Sequence, residues 1–173
     1  MKGFIYNQKD IPRGQWRYGL RSSAATGCGW IATYNALRMM GYYAKPEDLI
    51  RWYERNFPVI NGNFGTFLFS PVAFFKRKGF RVRLVIGRKN FDRAVRECDA
   101  AILFYYWRNM YRFGSHFVAL QYRCGNYIGY NTFRTSAGED DYGPSLKVFL
   151  KKQGVFCPVL IAVKGRNAGR EKG

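Results

Sequence analysis

Cys28 stands between Gly27 and Gly29, at the head of a largely apolar run over residues 29–40. The start of a helix favours an anion, and the thiolate is the nucleophilic form of cysteine. An ordinary thiol is only about 3% ionised at pH 7, so full ionisation offers roughly 30-fold more nucleophile. Two flanking glycines would leave room for a substrate carbonyl. The bland alternative is a small buried hydrophobe. The chain has one histidine, His116, opening the apolar run 115–120 behind Arg112-Phe113-Gly114. Any imidazole-dependent step must use it, although a lone histidine is commonly structural. Asn131 follows in the next strand-like stretch. A buried amide needs partners, and an imidazole N–H or the local backbone would serve.

Other cysteines offer less. Cys98 lies between Glu97 and Asp99, whose charges oppose a thiolate, Cys124 falls in a turn, and Cys157 precedes Pro158 in an apolar strand and reads as core. With no Cys-x-x-Cys pair and a single histidine, the spacing gives no metal site. Residues 27–32 also fit a GxGxxA dinucleotide fingerprint, but that motif needs a strand before it, and residues 21–26 make a poor one.

The elements that must hold these residues follow from apolar spacing and helix end signals. Residues 1–27 read as mostly loop. Residues 29–40 form a helix stopped by Gly41; Pro46 opens a second, to Asn56, with Glu47 and Asp48 in its first turn. Ser70-Pro71 caps a third that ends at Gly79, and Asn90 starts a short one reaching about Cys98. Residues 80–86 alternate apolar and basic, as a strand with one exposed face does. Strands are expected over 100–107, 115–123, 127–133 and 156–164, with a helix over 145–153. Helices first and sequential strands after indicate an α+β fold with an antiparallel sheet. A hairpin turning near Cys124-Gly125-Asn126 brings His116 and Asn131 within side-chain reach only if facing residue numbers sum to 249, which a four-residue loop or an equivalent bulge provides.

Tyr6-Asn7-Gln8-Lys9-Asp10, Trp16, Tyr18-Gly19, Ala25-Thr26-Gly27-Cys28-Gly29, Gly114-Ser115-His116-Phe117-Val118 and Tyr130-Asn131 together resemble the papain-like cysteine peptidases of the bacteriocin-processing, double-glycine-leader type. The resemblance implies a papain-like fold, with an N-terminal helix carrying the cysteine packed on an antiparallel sheet carrying histidine and asparagine. It implies Cys28 as nucleophile, His116 as general base and acid, Asn131 as the group orienting the imidazole, and Gln8 as an oxyanion donor, with no cofactor. Gly27 stands where that family often has Asp or Asn, Trp30 where Pro is common, and Asn131 where many relatives have Asp. Gln8 precedes Cys28 by more than the usual spacing, which makes Gln15 a rival for the oxyanion role.

Composition frames the alternatives. The 173 residues suit one domain, here 1–164, with a basic tail over 165–173. Lys and Arg total 29 against 11 acids, for a net charge of +18. Residues 164–173 account for only +3 of it, while nine basic residues and one acid, Asp92, fall between Lys76 and Arg96. Such a field favours a nucleic acid, an anionic surface or an acidic polypeptide. Two stretches interleave aromatic and basic residues, 74–81 and 105–113. A nucleic-acid-binding module is therefore the competing class, and a papain-like acyltransferase or cell-wall amidase would share the same three residues. Residues 105–113 also fit a cleft wall gripping substrate. A peptide or protein substrate is expected, with non-specific polyanion binding. No apolar run is long enough to span a membrane, residues 1–10 show no signal-peptide pattern, and the compartment is left open.

Overall fold

The computed structural model describes residues 3–56, 66–108, 110 and 113–166. The first described segment carries a single 3-10 turn at Gln8–Asp10, whose lead residue Asn7 accepts from the Lys9 N–H at 2.9 Å. A two-rung hairpin of β1 (Arg17–Tyr18) and β2 (Arg21–Ser22) and a one-turn helix, α1 (Ser23–Thr26), follow. Helix α2 spans Cys28–Met39, with ten of its twelve residues buried, as befits a helix apolar on nearly every side. Gly41 ends it at φ +79; its N–H bonds Arg38 and the Tyr42 N–H bonds Leu37, so a left-handed residue satisfies the last carbonyls.

Helix α3 is Pro46–Arg55, with proline at the start, Glu47 and Asp48 in the first turn, and Leu49, Ile50 and Tyr53 facing inward. Helix α4 is Ser70–Arg77. Ser70 does not cap it, contrary to the sequence expectation. The capping position belongs to Phe69, and the Ser70 hydroxyl is buried with no partner among the described residues. Strand β3 (Phe80–Ile86) and helix α5 (Phe91–Arg96) lead into the central strands β4 (Ala100–Arg108), β5 (Phe113–Arg123) and β6 (Asn126–Tyr130). After the two-residue strand β7 (Asp140–Asp141) come helix α6 (Leu146–Lys152) and strand β8 (Phe156–Arg166). Asp92 explains how α5 and α6 are joined: its carboxylate accepts from the Leu146 N–H at 2.9 Å and the Ser145 hydroxyl at 3.0 Å, neutralising the positive end of α6.

Six strands form one antiparallel sheet in the order β3-β8-β4-β5-β6-β7. The α+β class and antiparallel sheet agree with the sequence. Phe104, Phe117 and Ala119 pack with α2 on one face, while Leu103, Tyr105, Val118 and Leu120 pack with α5 and α6 on the other. Arg123 faces Asn126 and Leu120 faces Gly129, which is the register whose numbers sum to 249. A two-residue turn achieves it rather than a longer loop, because Cys124 and Gly125 both take positive φ, 51 and 86.

Three boundaries differ from expectation. Strand β6 stops at Tyr130 instead of residue 133, since Asn131 turns left-handed at φ +62. Cys157 is exposed, not core; it sits at φ +47 in the irregularity where β8 slips past β4 between Phe104 and Tyr106. Strand β8 runs to Arg166, so the first two residues of the expected tail are strand, and residues 167–173 lie outside the described residues.

Candidate active site

One cleft of about 520 Å³ is lined by Cys28, His116, Asn131 and Gln8 together. Four separate elements meet there: the start of α2, the start of β5, the residue after β6 and the N-terminal 3-10 turn. Gln15 is exposed and does not line the cleft.

Cys28 is the first residue of α2, and Gly27 serves as both the end of α1 and the cap of α2. Neither flanking glycine opens space for a substrate. A Cβ on Gly27 would lie 2.6 Å from the Ser23 carbonyl oxygen and 2.7 Å from Trp30 Nε1, and one on Gly29 would overlap the Thr66 side chain. Both positions are small because protein fills them. Burial pushes the Cys28 thiol up to about 11, while the N–H groups of Phe117, Gly29 and Cys28 itself pull the other way. Desolvation therefore outweighs the helix terminus, and the resting sulfur is a thiol rather than the thiolate expected from the sequence.

His116 lies opposite Tyr105 on β4. Its Nε2 is 2.6 Å from the main-chain carbonyl oxygen of Asn131. A carbonyl can only accept, so Nε2 carries the proton and Nδ1 carries the lone pair. Burial lowers the imidazole's proton affinity, the Asn131 carbonyl raises it, and the Arg134 charge lowers it again. The ring is thus neutral near pH 7. His116 and Phe117 are consecutive residues of β5, so one strand supplies both the imidazole and a backbone N–H that favours the charged form of the Cys28 sulfur.

Asn131 does touch the imidazole, but through its backbone. Its side chain faces Gln8: Oδ1 accepts from the Gln8 N–H at 2.7 Å, and Nδ2 donates to Gln8 Oε1 at 3.2 Å. Gln8 Nε2 donates to the Ala24 carbonyl at 3.1 Å. This fixes the amide orientation, and the second Nε2 hydrogen has no partner among the described residues.

Tyr105 and Trp107 form part of the wall, in line with the cleft-wall reading of residues 105–113, of which 109, 111 and 112 lie outside the described residues. Trp107 lies over Gly114, where a Cβ would come 2.7 Å from the indole. Arg134, Gln153 and Val155 also line the cleft and carried no sequence signal. In the other aromatic–basic stretch, Phe74, Phe75 and Phe80 are core residues and cannot stack on bases. The described residues hold no cluster of His, Cys, Asp or Glu fit for a metal ion, and no helix among them is long and apolar enough to cross a membrane.

No family model and no curated protein matches the chain. Among solved structures, the fold is similar to the peptidase domain of Streptococcus ComA, a bi-functional ABC transporter involved in a quorum sensing pathway. The TM-score is 0.52 at 14% identity, covering 84% of this chain and 98% of that one. An α+β fold with a helix packed on an antiparallel sheet is common to both.

Proposed function

We propose that the protein is a cysteine peptidase that cleaves a peptide or amide bond through an acyl-enzyme on Cys28. The observation that carries this reading is the imidazole of His116, fixed in one tautomer by the Asn131 carbonyl, in the same cleft as the helix-initiating Cys28. His116 Nδ1 takes the thiol proton as sulfur attacks the carbonyl carbon. Because both groups rest neutral, this is general-base activation rather than a standing ion pair. The free Nε2 hydrogen of Gln8 and the N–H of Cys28 receive the developing oxyanion. Protonated Nδ1 then gives its proton to the leaving amine, and water, deprotonated by the same nitrogen, releases the acid.

The test is cleavage of a library of internally quenched peptides. Cys28→Ala and His116→Ala are expected to lose at least about a thousandfold in kcat/KM while keeping the native circular dichroism spectrum. Either variant cleaving at the wild-type rate would refute the assignment. If the aromatic–basic stretches served nucleic acid instead, the protein would discriminate between oligonucleotide sequences at fixed salt, which a simple positive field does not do.

A further inference from the structure

Arg134 is the only permanently charged residue among those described that line the cleft. Its backbone is held from both sides. The Arg134 carbonyl accepts from Asn7 Nδ2 at 2.9 Å, and the turn behind it is closed by Ser136, whose hydroxyl accepts from the Phe133 N–H at 3.0 Å and donates to Asp140 at 2.7 Å. Arg134 itself is exposed. Its guanidinium has no hydrogen bond or ion pair among the described residues.

The carboxylates that might have neutralised it are engaged elsewhere. Glu139 is held by Arg123 and Tyr130, and Asp140 by Ser136. The Asn7 side chain bonds both the Arg134 carbonyl and the Lys9 N–H, each at 2.9 Å, which brings the backbone of a second cation close. Lys9 is exposed, next to Gln8 of the cleft and followed by exposed Asp10; partial desolvation lowers its proton affinity, and the Arg134 charge lowers it further. Two like charges held together at the rim of a cleft that contains no acid form a place complementary to an anion.

We propose that Arg134, with Lys9 beside it, is a carboxylate subsite that selects substrates carrying a negative charge close to the scissile bond. The inference rests on the peptidase reading of the cleft. A guanidinium offers two parallel N–H donors matched to a carboxylate, which gives orientation as well as attraction. The carboxylate is either an acidic side chain or the free C-terminus of the peptide.

Paired peptides separate these sources. One set differs only by Glu or Gln at each position around the cleaved bond; the other lacks acids and ends in a free acid or an amide. Wild-type protein should favour the charged member of one set by about tenfold in kcat/KM at one position, and the set showing it identifies the source. Arg134→Gln should bring the ratio close to one, and Arg134→Glu should turn the preference toward Lys at that position. Arg77→Gln removes the same charge outside the cleft and should leave the ratio as in wild type, which separates the subsite from the general positive field. A ratio unchanged in Arg134→Glu, or lost equally in Arg77→Gln, overturns the subsite while leaving the peptidase intact. A wild-type protein that cleaves no peptide in either set overturns the peptidase reading, and the subsite with it.

Discussion

Replacing Asn131 separates what its backbone does from what its side chain does. The backbone carbonyl holds the His116 ring, and the side chain makes two hydrogen bonds to Gln8. Losing two such bonds costs about 2 kcal/mol, at roughly 1 kcal/mol each. The residue also sits at φ +62, where alanine carries a further penalty of about 1–2 kcal/mol and glycine carries none. Asn131→Ala should therefore destabilise by about 3–4 kcal/mol, and Asn131→Gly by about 2, as read from urea midpoints. In the glycine variant the carbonyl still meets Nε2. Its kcat/KM should fall only about 10- to 100-fold, through a loosened Gln8 amide, because one oxyanion donor is worth about 10²–10³. The pH limb belonging to His116 should stay in place. In Asn131→Asp the carboxylate still accepts from the Gln8 N–H but faces Gln8 Oε1, so the amide should turn over and withdraw its donor, lowering kcat more than it changes KM. If Asn131→Gly were as inactive as His116→Ala at normal stability, with its acid limb displaced, the side-chain amide would be the orienting group and the backbone argument would fail.

Stability should depend on pH at both ends. His116 has its proton affinity lowered by folding, so the unfolded chain binds the extra proton, and stability should fall as pH drops below about 6.5; in His116→Gln that part of the slope should vanish. Cys28 is raised from 9.0 to about 11, so the folded state holds its proton longer, and stability should fall as pH climbs between those values, by no more than ~3 kcal/mol. Urea midpoints across pH for wild type and Cys28→Ala should differ in slope over that window, and parallel slopes would contradict the burial argument. Gly29→Ala should destabilise by about 1–3 kcal/mol because its methyl meets Thr66, and Thr66→Ala in the same chain should recover part of the loss in a double-mutant cycle. Limited iodoacetamide at pH 7 should modify exposed Cys124 and Cys157 before buried Cys28, the reverse of what a helix-terminal thiolate would give, and peptide mapping reads the order.

The sequence carried most of the elements because their signals are local. Gly41, Pro46 and the apolar run of α2 mark ends and faces that the structure keeps. Register was legible for a different reason: strand pairing has only a few solutions, and one of them brings residues 116 and 131 together. What escaped depends on tertiary packing. Nothing near Cys28 in sequence says that Thr66 fills the space beside Gly29, or that burial overrides the helix terminus. The apolar pattern through residue 133 hid the left-handed turn at Asn131, which exchanges a side-chain contact with His116 for a backbone one. Cys157 reads as core from its apolar neighbours yet is exposed, because the irregularity between β8 and β4 turns that position outward. Arg134 and Gln153 reach the cleft through long-range folding, which a linear pattern does not encode.

The acyl-enzyme itself tests the central claim most directly. A cleaved peptide identified from the library, mixed in single turnover with the protein and quenched in acid, should leave an intact-mass increase equal to the N-terminal fragment less water. Digestion should map that adduct to Cys28, and it should be absent from Cys28→Ala and His116→Ala. Cleavage that continues in Cys28→Ala, or an adduct on any other residue, would contradict the account.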